Sequence, residues 1–258
     1  MNIDSNNMTI LELNNITKTF GGIRAVDSIT IGFKKSKITG LIGPNGAGKT
    51  TLFNLINGFF KPDFGIIRYK NIRIDSKPPW KIAKLGIGRL FQDVRVFGKL
   101  TVLENVLLAN INEMGESPFT LLLNLKEVKR QEKENIEKAK HWINFVGLSN
   151  KENSPAESLS FGQQKLLAIA RLLAGNYEVL LLDEPTAGVN PALIKSILKI
   201  FLKMIEYGKT IIFIEHNMNV ILEIADWVYF LDEGKVTAFG SPSDVLENPE
   251  VRKTYLGL

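Results

Sequence analysis

The feature that most constrains this chain is Gly43-Pro44-Asn45-Gly46-Ala47-Gly48-Lys49-Thr50, which fits the spacing G-x-x-x-x-G-K-[ST]. Glycines let the backbone curl until its N–H groups converge on phosphate oxygens. Lys49 adds a positive point charge, and the Thr50 hydroxyl suits Mg²⁺. The flanks agree with this reading. Ile38-Thr39-Gly40-Leu41-Ile42 reads as a short buried strand and Lys49 to Asn57 as a helix. The loop then sits at a strand-to-helix turn, where the helix N-terminus favours an anion. Such a turn demands an α/β core and points to a nucleoside triphosphate. It leaves the reaction open.

At 258 residues the chain can bury a full core, as one domain with a subdomain. Its longest apolar runs, such as Val179 to Leu182, are strand-sized, so no membrane span is expected. Residues 1–9 are polar and lack the apolar stretch of a signal peptide. The absence of cysteine excludes disulfides and thiol chemistry and fits a cytosolic protein. The formal net charge of +5 is spread along the sequence. Its densest region, Lys126 to Lys140, interleaves Glu and Lys as a solvated helix face does, so no nucleic-acid partner is expected.

Ile10 to Ile16 and Ile29 to Phe33 alternate like half-buried antiparallel strands, with a turn at Gly21-Gly22. Ile66 to Tyr69 and Ile72 to Ile74 continue this strand-rich region. Val102 to Ile111 is apolar at helical spacing, and Lys126 to Val146 reads as a long charged amphipathic helix. Met114 to Asn124, with Gly115 and Pro118, reads as a break or lid between them. Residues 93–160 are therefore expected to form a helical subdomain inserted into one domain spanning 1–258. The core resumes with Val179 to Leu182 and Thr210 to Ile214, both continuous apolar runs suited to a parallel sheet. Pro191 to Ile205 reads as a helix, and Val228 to Leu231 with Lys235 to Phe239 as a terminal hairpin.

Three further patterns carry chemistry. Asp183-Glu184 closes an apolar strand, at the end that faces the ligand crevice in open α/β sheets. Asp183 suits Mg²⁺, and Glu184 suits a general base for an attacking water. His216 follows the strand Thr210 to Ile214, within reach of a terminal phosphate; His141 reads as a surface residue. Leu159-Ser160-Phe161-Gly162-Gln163-Gln164 precedes an apolar helix, with Ser160 a good N-cap and Gly162 leaving backbone accessible. Gln92 and Phe20, read singly, carry little information.

In this order, the set resembles the nucleotide-binding domain of ATP-binding cassette (ABC) proteins. That resemblance implies an α/β phosphate-loop NTPase with an N-terminal antiparallel β subdomain and an inserted helical subdomain. Gly43 to Thr50 matches the Walker A loop, Gln92 the Q-loop, and Leu159 to Gln164 the family signature. Val179 to Glu184 matches Walker B with its catalytic glutamate, His216 the switch histidine, and Phe20 the adenine-stacking aromatic. Two positions depart: Phe161 stands where the family usually has Gly, and Asn190 where an Asp is more usual. The segments Phe91 to Phe97, Leu100 to Val106, Phe161 to Gln164, Ala187 to Pro191, Ile214 to Met218 and Tyr255 to Gly257 are similar to importers of branched-chain amino acids. The longer ATP-binding subunit of those systems carries an insertion like Met114 to Lys126.

The resemblance implies two such domains paired head-to-tail, as a homodimer or heterodimer, with ATP and Mg²⁺ between them. Adenine stacks on Phe20. The triphosphate lies on the loop Gly43, Pro44, Asn45, Gly46, Ala47, Gly48, Lys49, Thr50 and Thr51. Mg²⁺ is held by Thr50 and Gln92 with Asp183 nearby, and water is activated by Glu184 and steadied by His216. Ser160, Gly162 and Gln163 approach the partner's γ-phosphate. The translocating helices belong to separate permease chains, and an extracytoplasmic solute-binding protein is an indirect partner. The subunit is expected in the cytoplasm, peripheral on the inner face of the membrane. The segment from Gln92 to Val106, with exposed Val94, Val96 and Phe97, is the expected permease-docking surface. The alternatives are urea or short-chain amide import, lipid export, and a soluble ABC ATPase outside transport. A phosphate-loop kinase or GTPase stands further off, since the guanine-reading N-K-x-D pattern is absent.

Overall fold

The computed structural model describes residues 8–109 and 125–256. The expected break from Met114 to Asn124, together with Ile111 and Gly257, lies outside the described residues. The chain divides into two compact units. One comprises Met1–Arg89, Glu178–Thr186 and Phe201–Leu258; the other comprises Leu90–Tyr177 and Ala187–Ile200. The range 93–160 expected as a helical subdomain is part of the second unit.

The first unit begins with a long hairpin, β1 (Thr9–Phe20) and β2 (Ile23–Lys34). Gly21 and Gly22 supply its turn with φ of 52° and 86°. Both strands run well past the alternating segments seen in the sequence. The reason is local: Asn15 and Ser28 take positive φ, and the pairing shifts register around them. An extra residue resets the two-residue period, so the alternation breaks although the strand continues. β4 (Phe64–Tyr69) pairs antiparallel with β1, and β5 (Ile72–Arg73) pairs with β4, giving the order β2-β1-β4-β5. Gly65 is needed there because a Cβ would lie 2.3 Å from the Asn15 carbonyl.

The second sheet of this unit has six strands. These are β3 (Ile38–Ile42), β6 (Ile87–Leu90), β7 (Val179–Asp183), β8 (Thr210–Ile214), β9 (Trp227–Asp232) and β10 (Lys235–Gly240). Their order is β10-β9-β3-β8-β7-β6. β3 runs parallel to both β8 and β9, and β7 parallel to β8. Every residue of β3, β7 and β8 is buried, as expected of strands covered on both faces. The hairpin β9–β10 is thus the edge of the main sheet rather than a separate appendage. The helix α1 (Lys49–Ile56) follows β3, and its Phe53 and Leu55 join Leu11, Phe33, Leu181 and Ile212 in one core. A short helix α2 (Pro79–Leu85), opened by Pro and closed by Gly86 at φ 115°, leads into β6. α2 and β6 are too short to show periodicity and were not expected from the sequence.

In the second unit, α3 (Val102–Leu107), α4 (Leu125–Phe145) and α5 (Phe161–Ala174) pack on one another. Val102, Val106, Ala139, Ile143, Leu166 and Ile169 are their buried faces. Thr101 and Glu104 form a capping box that starts α3. Then α6 (Pro191–Glu206) follows β7, α7 (Met218–Ile224) follows β8, and α8 (Pro242–Glu247) and α9 (Pro249–Leu256) close the chain.

Candidate active site

Three neighbouring parallel strands end together. Leu41 of β3 pairs with Ile214 of β8, and Ile214 pairs with Asp183 of β7. The glycine loop leaves β3, Glu184 leaves β7, and Glu215-His216 leaves β8. The topology alone therefore gathers these loops at one edge of the sheet.

The loop needs its glycines. Gly43, Gly46 and Gly48 have φ of 149°, 83° and 97°. A Cβ on Gly43 would sit 2.0 Å from the Leu231 carbonyl oxygen, and one on Gly48 would sit 2.2 Å from that of Ala25. Gly48 is the N-cap of α1, so the N-cap offers no side chain to the first-turn N–H groups, those of Lys49, Thr50 and Thr51. Pro44 is half-buried, Ala47 is buried, and Asn45, Gly46 and Thr50 are exposed. Lys49 is buried and donates to the carbonyls of Gly43 at 2.7 Å and Pro44 at 2.8 Å. Burial pushes its ammonium below the ordinary lysine value, opposed by the nearby carboxylates of Glu184 and Asp183. The lysine of the loop and the two acids therefore share one electrostatic neighbourhood.

Glu184 holds φ at 48°, unusual for a residue with a Cβ, and its N–H donates to the Ile214 carbonyl at 3.0 Å. Such a conformation costs about 1–3 kcal/mol and persists only where the surroundings enforce it. Its Oε1 lies 3.3 Å from His216 Nε2. Phe20 is exposed at the end of β1, its ring edge-on to Phe60 at 5.1 Å, with Lys18 Nζ 5.4 Å from its centre.

Two organising groups were not anticipated. Arg89 of β6 donates from Nη2 to Asp183 Oδ2 at 2.7 Å and from Nη1 to Asn54 Oδ1 at 2.6 Å. Glu215 is buried, and its Oε1 accepts the N–H of Thr186 at 3.1 Å and the Thr186 hydroxyl. Its Oε2 accepts the N–H groups of His216 at 3.1 Å and Asn217 at 3.4 Å. One carboxylate thus ties the loop after β7 to the loop after β8.

Gln92, Ser160, Gly162 and Gln163 belong to the second unit. Gln92 is exposed just past β6. Ser160 caps α5 by accepting the Gln163 N–H, while the Gln163 side chain accepts the Ser160 N–H at 3.0 Å. The Gln163 side-chain oxygen is thereby engaged in the cap. A Cβ on Gly162 would meet Leu193 at 2.3 Å, so the start of α5 packs tightly on α6. Of the two departures from the family pattern, Phe161 lies against Gly188 with Lys165 Nζ 5.6 Å from its ring centre, and Lys165 donates to the Ala187 carbonyl at 2.6 Å. Asn190 caps α6 by accepting the Leu193 N–H at 2.9 Å. The expected docking segment needs a correction: Val94 and Val96 are half-buried, and Phe97 is exposed with Arg171 5.0 Å from its ring centre. Buried Asn105 shapes that segment by accepting the Phe97 N–H and donating to the Phe97, Leu100 and Thr101 carbonyls.

For a metal, the first unit offers the Thr50 hydroxyl and the Asp183 carboxylate. Among the described residues no cluster of three or more His, Cys, Asp or Glu forms a dedicated cage. Hard oxygen donors in such small number fit Mg²⁺, which is commonly held by one or two carboxylates plus substrate phosphates.

Comparison with known proteins gives consistent relatives. The family described as ABC transporter matches residues 26–187. The chain is 36% identical over 249 residues to the high-affinity branched-chain amino acid transport ATP-binding protein LivG of Salmonella typhimurium, covering 96% of this chain and 98% of that protein. It is 40% identical over 252 residues to the probable branched-chain amino acid transport ATP-binding protein LivG of Archaeoglobus fulgidus, covering 97% and 96%. Among solved structures, a nucleotide-free ATP-binding cassette from an ABC transporter superposes with TM-score 0.84 at 38% identity, over 97% of this chain and 100% of that one. A dimeric, post-hydrolysis cassette bound to ADP and Pi gives TM-score 0.76 at 28% identity, over 90% and 98%.

Proposed function

The chain belongs to the ABC transporter family of ATP-binding subunits, and from that premise we propose that it hydrolyses ATP to drive import of branched-chain amino acids through separate permease chains. The observation that carries the ATPase reading is the shared neighbourhood of Lys49, Asp183 and Glu184, with His216 3.3 Å from Glu184. The cargo reading rests on the relatives, which are branched-chain amino acid transport ATP-binding proteins. Among the described residues no helix is long and apolar enough to cross a membrane, in keeping with work done through other chains at the inner membrane face.

The residues take these roles. Phe20 stacks on adenine, and the N–H groups of Gly46, Gly48, Lys49, Thr50 and Thr51 with the Lys49 ammonium bind the phosphates. Thr50 and Asp183 hold Mg²⁺, which when bound neutralises charge building on the β- and γ-phosphates. Glu184 accepts a proton from the attacking water, and His216 steadies it. Ser160 and Gly162 serve the γ-phosphate of a partner subunit, so a complete site requires two cassettes and ATP binding favours the paired state. Glu184→Gln tests this: the variant keeps ATP binding and forms ATP-dependent dimers, with turnover lower by about two decades or more. Unchanged turnover refutes the role of Glu184. Purification from membranes then identifies the permeases, and uptake assays with leucine, isoleucine and valine test the cargo.

A further inference from the structure

We propose that Arg89 is a positioning residue for the Asp183 carboxylate, anchored for that task by Asn54. The side chains of Arg89 and Asp183 are only 4% and 5% exposed. The guanidinium bridges two elements, α1 through Asn54 Oδ1 at 2.6 Å and the end of β7 through Asp183 Oδ2 at 2.7 Å. Its carbon lies 5.5 Å from the centre of the Phe53 ring, so the planar group is also held against an aromatic.

As a source of stability this arrangement is poor, because burying two charges costs several kcal/mol per ion before attraction returns any of it. Its effect is geometric. A planar fork fixed at both prongs cannot swing, so Oδ2 is fixed and with it the rotamer of Asp183. The direction of Oδ1 follows, and Oδ1 receives no hydrogen bond among the described residues. Mg²⁺ demands near-octahedral geometry, so a carboxylate aimed in advance binds it better than one that must be oriented on arrival. Neither Arg89 nor Asn54 touches nucleotide in this scheme; both act through Asp183. The inference rests on Asp183 being the metal-binding carboxylate.

Arg89→Met would strand a buried carboxylate and is expected to fold poorly, so the test uses two milder variants of the full chain. Arg89→Lys keeps the charge but cannot hold both partners, and Asn54→Leu removes one anchor while keeping the pair. Three quantities are measured: the Mg²⁺ concentration for half-maximal ATPase, Mn²⁺ binding to the protein–ATP complex by electron paramagnetic resonance, and affinity for a fluorescent ATP analogue in EDTA. Metal affinity is expected to fall about 10–100-fold in both variants, the range for loss of a group that orients a metal ligand, with metal-free nucleotide affinity unchanged. Asp183→Asn is measured alongside. If it weakens Mn²⁺ binding while Arg89→Lys and Asn54→Leu do not, the positioning role is overturned. If Asp183→Asn itself leaves metal binding intact, the reading of Asp183 fails and the proposal falls with it. Equal losses of metal-free and metal-bound nucleotide affinity would make Arg89 a purely structural group and also overturn it.

Discussion

Glu215→Gln isolates the tie between the loops that follow β7 and β8. The carboxylate accepts two bonds on each oxygen, from Thr186 N–H and hydroxyl on one and from His216 and Asn217 N–H on the other. The amide keeps one acceptor oxygen and places an NH₂ group against the remaining donors. The Thr186 side, with its hydroxyl and a 3.1 Å N–H, is the stronger claim on that oxygen, so the lost bonds are those to His216 and Asn217. Hydrogen bonds to a charged group contribute about 1.5–3 kcal/mol each, and the two lost here are of ordinary to long length, so a loss of about 3 kcal/mol is expected. Glu215 is buried, so solvent does little to offset it. The functional effect follows from position: His216 loses its backbone anchor and with it the 3.3 Å contact to Glu184. If about half of the lost energy appears in the transition state, turnover falls about tenfold. Nucleotide affinity stays near that of the parent, because Lys49 and the glycine loop are held by other bonds. Guanidinium denaturation, steady-state ATPase and fluorescent-nucleotide titration measure the three quantities. A variant within about 0.5 kcal/mol of the parent and with full turnover would refute the argument, since that is the range of an inconsequential surface change.

Gly48→Ala must accept a left-handed φ, costing about 1–2 kcal/mol, besides a Cβ 2.2 Å from a backbone oxygen; titration should show nucleotide binding lost while circular dichroism shows the sheets retained. Phe20→Ala removes a stacking face worth about 1–3 kcal/mol per base, so ATP affinity by calorimetry should drop roughly 5–150-fold with little change in kcat. For Glu178, burial raises the carboxyl pKa, but Lys70 and Lys35 outweigh it and hold the group below its ordinary value. A depressed carboxyl stabilises above the unfolded-state value of about 4.3 and loses that contribution as pH falls through the folded value. Glu178→Gln should therefore lower Tm at pH 7 and flatten the acid side of the Tm–pH curve; an unchanged acid slope would sink the assignment.

The glycine loop, the buried strands and the capped start of α5 were all readable, because each leaves a short local pattern. Ser160 and Gln163 stand three apart in a capping box, and β7 and β8 are uninterrupted apolar runs. What escaped was long-range or irregular. Arg89 reaches Asp183 across 94 positions, and Glu215 reaches Thr186 across 29. A lone Arg in a short strand and a Glu beside a His carry no sign of such partners. The bulges at Asn15 and Ser28 masked the true length of β1 and β2 by resetting the alternation. The backbone at Phe97 is held by Asn105, eight residues beyond it, a partner that the segment itself does not show.

The carbonyls of Gly43 and Pro44 occupy two of the three hydrogens that the Lys49 ammonium can donate. The long, flexible stem has therefore surrendered its rotamer freedom during folding, a cost of up to about 2 kcal/mol that need not be met again when a phosphate arrives. What remains is a single hydrogen with a set direction. The loop thus reads a phosphate by position as much as by charge, and an arginine there, though equally cationic, would bring a flat fork to a cradle shaped for a tetrahedral head.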